Sequence, residues 1–166
     1  MIDSDIALRS ATPEDQKFLR AVFASTRTDE LAALGDASMI ESFVGMQFDV
    51  QERVYRTAYP TAENRIIFLG ERPIGRMLVD RTPDTITLVD IGLLSEFRNR
   101  RIGSLLVGRL IDEAAAARKS VRLSVFKFNR AVRLYERLGF FRVSEDASYI
   151  QMQWVATSII IAKDAN

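Results

Sequence analysis

Three extended segments joined by tight turns, then a helix and a further extended segment, constrain this fold more than any other feature of the sequence. Residues 65–69 form a compact apolar run that ends in the turn Gly70-Glu71-Arg72-Pro73. Residues 74–80 form a second segment, and after Arg81-Thr82-Pro83-Asp84 a third, rich in Thr, Ile, Val and Leu, covers 85–94. Connections this short join only antiparallel neighbours, so the three form a meander. Beyond Leu94 the apolar period lengthens: Ile102, Leu106, Leu110 and Ala114 share one helical face, with Arg109, Asp112, Glu113 and Arg118 largely off it. Val121, Leu123 and Val125 then alternate within a strand over 121–128. A strand–helix–strand crossover makes its two strands parallel, here those at 85–94 and 121–128, inside an otherwise antiparallel sheet.

The flanking segments complete the sheet and its cover. Residues 6–10 read as a short strand, and Thr12-Pro13-Glu14-Asp15 as a helix start, with Thr12 as cap and Pro13 at the first helical position. Phe18, Leu19, Val22 and Phe23 recur at helical spacing behind it. A longer helix is predicted over much of 36–59, with Met39, Phe43, Met46, Val50 and Val54 as its apolar stripe and Pro60 at its end. A short helix over 131–138 stops at Gly139, and 140–143 with 148–155 read as a closing hairpin. The expected class is α+β, a three-layer α/β arrangement with a mixed sheet of about seven strands and helices on both faces. One domain over 1–155 is expected, with a tail at 156–166. For the apolar tail residues 158–161, a strand edge, a packing arm and a disordered end all stay open.

Composition narrows the chemistry. At 166 residues and 48% hydrophobic content the chain supports one sizeable core. Its 23 Lys and Arg against 22 Asp and Glu argue against a dedicated nucleic-acid binder. With no Cys and no His, disulfides, thiol nucleophiles, the usual zinc sites and a Ser-His-Asp triad are excluded. Any acid or base must be Asp, Glu, Tyr, Lys or a terminus. No apolar run approaches the roughly 20 residues that span a bilayer, and residues 1–5 lack the layout of a signal peptide. A cytoplasmic protein with no membrane partner is the expectation.

Two stretches carry candidate chemistry. The first, residues 95–104, leaves a strand and opens a helix, whose first amides lack internal partners and can hold phosphate oxygens. Arg98, Arg100 and Arg101 add charge there, and Gly103 removes a side chain where a ligand could approach. The same residues also fit a solvated basic turn. The second stretch, residues 129–140, reads as an amphipathic helix with Leu134 and Leu138 inward, Arg133, Glu136 and Arg137 outward, and Tyr135 half-buried.

Together, in this order, the two stretches resemble the GNAT superfamily of N-acetyltransferases. The family's loop, Arg/Gln-x-x-Gly-x-Gly/Ala after the fourth strand, is matched by Arg98 and Gly103, with Arg101 in place of the middle Gly. Its later motif, Asn followed by Ala-x-x-Leu-Tyr-x-x-x-Gly-Phe, is matched by Asn129, Ala131, Leu134, Tyr135, Gly139 and Phe140. The resemblance implies a splayed central pair of strands at 85–94 and 121–128, with the pantetheine arm of acetyl-CoA entering between them. It implies that backbone groups of Ile91, Gly92 and Leu93 pair with that arm, and that Asn99, Arg100, Arg101, Ile102, Gly103 and Ser104 wrap the pyrophosphate with Arg98. A right-handed helical start would let Arg101 keep the loop's path and turn its guanidinium toward a phosphate; altered loop geometry is the other reading. Gly92 fits either a close approach or crowding under a helix. Asn129 either bonds the cofactor or caps the helix after it.

The resemblance further implies that Tyr135 protonates the departing thiolate. A tyrosine titrates at about 10 and is still protonated at neutral pH. No acid stands in the fifth strand, which offers Ser124 and Phe126. Asp90 is the favoured base, with a structural salt bridge and a water-mediated route as the alternatives. Glu96 reads as structural. Met46, Phe48, Tyr55, Tyr59 and Tyr149 are candidates to line the acceptor site, each also readable as packing. The implied activity is direct transfer of acetyl from acetyl-CoA, as co-substrate and without metal, to a primary amine of a small molecule or protein in a ternary complex. A non-catalytic acyl-CoA sensor is the alternative, and a polyanion binder using Arg98, Arg100, Arg101 and Arg130 a weaker one. Homodimers are common in the family, and the resemblance alone carries that expectation.

Overall fold

Short turns and one crossover produce the sheet that the patterning calls for. The computed structural model describes residues 5–27, 31–32 and 35–156. Its strands are β1 (Ile6–Ser10), β2 (Glu63–Leu69), β3 (Arg72–Arg81), β4 (Thr85–Leu93), β5 (Ser120–Phe126), β6 (Phe141–Glu145) and β7 (Tyr149–Trp154). They form one sheet in the order β1-β2-β3-β4-β5-β7-β6. The helices are α1 (Gln16–Ser25), α2 (Ala37–Ala58), α3 (Ile102–Ala117) and α4 (Ala131–Arg137). The β4–β5 pair is parallel, whereas β1–β2, β5–β7 and β6–β7 are antiparallel. This is the expected α+β class with its mixed seven-stranded sheet. Residues 158–161 lie outside the described residues. The chain divides into two units, one drawn from residues up to Leu78 and from Asp90–Ile102, the other from Val79–Val89 and from Gly103 onward.

In the first unit, a 3₁₀ turn over Pro13–Asp15 leads into α1 and is held by an acid that reaches backward. The Asp15 carboxylate accepts from the Thr12 amide at 2.7 Å and from Arg9 at 2.8 Å, which holds it down to about 2. Leu19, Val22 and Phe23 are buried, and Phe23 meets Phe48 of α2 edge-to-face at 5.7 Å. Asp36 caps α2 by accepting from Ser38 N at 2.8 Å and Met39 N at 3.2 Å. The inward face of α2 differs from the expected stripe. Val44 and Phe48 are buried with Ile40 and Phe43 beside them, whereas Met39, Met46, Val50 and Val54 are 52–59% exposed. One residue around a helix is a turn of about 100°, so this sequence carries two apolar faces. Contact of Phe48 with Phe23 and with the Arg20 guanidinium (5.7 Å to the ring centre) selects one of them.

In the second unit, Leu106, Val107, Leu110 and Ala114 of α3 are buried, as the spacing requires. Val121, Leu123 and Val125 of β5 are buried too, but the strand ends at Phe126, two residues short of expectation. Asn129 N bonds back to Phe126 O at 2.9 Å, which turns the chain and leaves Phe128 84% exposed. On α4 the buried residues are Val132 and Tyr135, while Leu134 and Leu138 stay part-exposed. Gly139, at φ +91°, reverses the chain so that Phe140 N bonds to Tyr135 O at 3.0 Å. Phe140 then packs edge-to-face on Tyr135 at 5.6 Å, which buries the tyrosine to 6% exposure rather than half.

Candidate active site

The segment after β4 is shaped by two residues with positive φ. A 3₁₀ turn over Ser95–Phe97 is followed by extended Arg98, then Asn99 at φ +60° and Arg101 at φ +63°. The expectation of a right-handed helical start at Arg101 is therefore incorrect. Arg101 adopts the hand that the family's Gly adopts freely, because the loop must turn before α3 opens at Ile102. Alternating backbone hands are the kind of geometry that can bring successive amides to one side. An arginine held there costs on the order of 1 kcal/mol relative to glycine. We therefore expect Arg101→Gly to raise the midpoint of thermal unfolding of the ligand-free protein by a few degrees; an unchanged or lower midpoint would show the turn to be unstrained.

Arg98 is engaged by the protein's own backbone and by Ser25. Its Nε donates to Leu93 O at 3.1 Å, and its Nη2 donates to Ser25 O at 2.6 Å and to Ser25 Oγ at 3.2 Å. Ser25 Oγ also accepts from Ser95 N at 2.9 Å. The guanidinium thus ties the loop to the end of α1. Arg100 and Arg72 lie over the Phe97 ring at 5.3 and 4.7 Å, and Arg72 pairs with Glu96 at 2.8 Å, the structural role expected for that acid. Ile102 is buried.

Asp90 and Gly92 of β4 line a small open cleft together with Val22, Thr26, Gln51 and Arg76. The Asp90 side chain keeps 30% of its exposure. Burial pushes its carboxyl above the usual carboxylate range, against the pull of Arg76 and of Arg27, and nearby Glu52 adds to the rise. Arg76 is itself 3% exposed; its Nη atoms hold both oxygens of Glu52, with Nη2–Oε2 at 3.1 Å, and its Nε donates to Asn64 Oδ1 at 3.0 Å. Its Nη1 lies 3.8 Å from Asp90 Oδ2. The long contact leaves Asp90 beside the ion pair without locking it into one.

Gly92 meets the crowding reading. A Cβ there would stand 3.1 Å from Val22 Cγ1 and 3.6 Å from Thr26 Cγ2, so α1 crowds it. Its carbonyl also approaches Gly75 so closely that a Cβ on Gly75 would lie 2.3 Å away. Ile91 and Leu93 are part-buried beside it, and the Leu93 carbonyl is already taken by Arg98. In the second unit, a Cβ on Gly103 would make only ordinary contact with Leu134 at 3.8 Å, and Ser104 follows in the first turn of α3. Asn129 Oδ1 accepts from Ala131 N at 2.9 Å, an Asx turn that leads into α4, whose N-cap is Arg130. Ser124 Oγ accepts from Gln151 at 3.0 Å.

Sequence reasoning misses Arg76, Glu52, Asn64 and Gln51. The only signal is Glu52 standing four residues beyond Phe48, on the face of α2 that proves to be buried. Of the acceptor-lining candidates, Phe48 is core, and Met46 and Tyr149 are about half exposed. Among the described residues no group of three or more metal-binding side chains occurs, and no helix is long and apolar enough to cross a membrane.

What this fold and loop define is an acyltransferase. The model of the acetyltransferase (GNAT) family matches residues 23–140, and the chain belongs to that family. No relative is found among curated protein sequences. Among solved structures, the chain is similar to the PaiA N-acetyltransferase of Thermoplasma acidophilum in complex with coenzyme A (21% identity, TM-score 0.65, covering 91% of this chain and 99% of that one). It is also similar to an acetyltransferase from Thermus thermophilus (19%, TM-score 0.67, covering 94% and 100%). A third is a GNAT family acetyltransferase from Elizabethkingia anophelis with acetyl-CoA bound (12%, TM-score 0.59, covering 92% and 99%).

Proposed function

We propose that this protein transfers the acetyl group of acetyl-CoA directly to a primary amine, carried by a small molecule or a protein, in a ternary complex. The observation that carries the reading is where the parallel ladder stops. It runs from Thr85↔Ser120 to Leu88↔Leu123, yet β5 continues to Phe126, paired on its other side through Val125↔Ile150 and Phe126↔Tyr149. Beyond Leu123 the edge of β5 opposite β7 has no ladder pair among the described residues, which suits an extended amide-bearing ligand such as pantetheine. Coenzyme A and acetyl-CoA in the Thermoplasma and Elizabethkingia structures support the same choice of donor.

In this reading the backbone of Ile91, Gly92 and Leu93 supplies the amides for the pantetheine arm, with the Leu93 carbonyl excepted. An amide of this stretch polarises the thioester carbonyl, where negative charge develops during attack. The loop from Asn99 through Arg100, Arg101 and Ile102 to Gly103 and Ser104 receives the pyrophosphate on its amides, with Arg98 as its anchor. Asn129 orders the turn into α4. Asp90 takes the proton of the acceptor ammonium, and Tyr135 gives one to the departing thiolate.

Coenzyme A and acetyl-CoA at 100 times their dissociation constants should each stabilise the protein by about 2.7 kcal/mol, seen as a raised unfolding temperature, while RNA should not. Thiol release from acetyl-CoA should then appear with members of a primary-amine panel that includes benzylamine and polyamines. Stabilisation without thiol release across the panel would favour the acyl-CoA sensor, and no stabilisation by either ligand would remove the donor assignment altogether.

A further inference from the structure

The Arg76–Glu52 pair is costly to build and lies outside the two stretches, 95–104 and 129–140, that carry the family resemblance. Two ions taken out of water recover their solvation only with good geometry and further hydrogen bonds. Here the guanidinium meets both Glu52 oxygens and Asn64, drawing β3, α2 and β2 to one point at the floor of the cleft. A hydrophobic trio of similar volume would hold those elements at least as well. What such a trio could not do is present a compensated cation 3.8 Å from the Asp90 carboxylate, in a cleft with an otherwise apolar wall from α1.

We propose that Arg76 and Glu52 are positioning residues of the transfer reaction, a buried ion pair that orients Asp90 and sets the charge around it as it accepts the proton of the acceptor amine. The inference rests on the reading of Asp90 as the base. Asp90 removes one proton from the ammonium. The nitrogen lone pair then forms the amide bond as the thioester C–S bond breaks. The thiolate takes the Tyr135 proton, and the second nitrogen proton restores Tyr135 through solvent. Asp90 releases its proton to solvent, so one proton leaves for each amide formed.

The groups facing Asp90 are Arg76 of β3, Glu52 of α2, Arg27 just past α1, and the Ile91 amide of its own strand. An uncompensated Arg76 would hold Asp90 as a carboxylate too weak to take the proton. Without Arg76, burial and Glu52 would keep Asp90 protonated and unable to act. The pair sits between these extremes, and this predicts opposite effects from its two halves.

The test is the pH profile of thiol release from acetyl-CoA with benzylamine, alongside ¹³C-carboxyl NMR titration of Asp90, both on the full chain. Glu52→Gln is expected to move the acidic limb and the Asp90 titration down by about one pH unit, and Arg76→Met to move both up by a similar amount. Because Arg76→Met leaves two buried carboxylates together, the double variant Arg76→Met/Glu52→Gln serves as its folded control. It is expected to fall between the single variants. Glu52→Gln titrating like the parent would overturn the inference, as would NMR shifts that leave the rate profile unmoved. Asp90→Asn separates the two levels: full activity there defeats the base assignment itself, whereas loss of activity there with unmoved limbs in the pair variants defeats only the role of the pair.

Discussion

Tyr135→Phe is expected to lower turnover at saturating acetyl-CoA and amine by about 10²- to 10⁴-fold while the affinity for acetyl-CoA barely changes, measured by thiol release and by calorimetric titration. The substitution removes one oxygen from a ring that is 6% exposed and packed edge-to-face on Phe140. Phenylalanine keeps that packing and the shape of α4, so a lost rate reports the hydroxyl and not the fold. The thiolate departing from a thioester is then left without its donor and must wait for solvent. An unchanged rate would take Tyr135 out of the reaction, and a matching fall in coenzyme affinity would reassign it to binding.

Gly75→Ala carries the largest expected cost in stability. The added Cβ would meet Gly92 O at 2.3 Å, Leu93 Cδ2 at 2.7 Å and Leu93 Cα at 3.2 Å. Two of these contacts are backbone, which cannot step aside as a flexible side chain does. Overpacking of this kind costs typically 1–3 kcal/mol and occasionally more, and we expect about 3 kcal/mol, or roughly 6–12 °C in unfolding midpoint. Gly92→Ala meets the Val22 methyl at 3.1 Å and Thr26 Cγ2 at an ordinary 3.6 Å, and should cost about 1 kcal/mol. Urea unfolding of the two variants measures the difference, and equal midpoints would refute the close approach. Gly75→Ala should also depress turnover in the folded fraction, because it displaces the stretch of β4 that carries Asp90 and Leu93.

The frame of the sheet is legible in the sequence because turn lengths and a crossover leave few topologies. Residues 81–84 leave room only for a reversal, and the helix between β4 and β5 enforces a parallel pair. The choice of face on α2 is not legible. Met39, Met46, Val50 and Val54 and the set Ile40, Val44 and Phe48 are both plausible stripes, and only the partner helix decides between them. The loop before α3 reads as the start of a helix but with the wrong hand at Arg101, since a propensity argument cannot see that the chain must turn there. The anchoring of Arg98 depends on Ser25, 73 residues away in sequence. The cluster at Asp90 is hidden for the same reason: Glu52, Asn64 and Arg76 are ordinary surface-type residues until three elements converge on them.

The outermost strand has a consequence of a different kind. Among the described residues β6 ends the sheet, all five of its residues are exposed, and Phe141 and Val143 put apolar side chains on that outer strand. Its register on β7 jumps between Arg142 and Ser144, with Val143 as the extra residue, and Arg142 is drawn toward Glu136 at 3.0 Å. A bulge of this type coils the edge and puts its amides out of step. A foreign strand aligning there would lose its match within two residues, which guards a crowded solution of this protein against growth into cross-β fibrils.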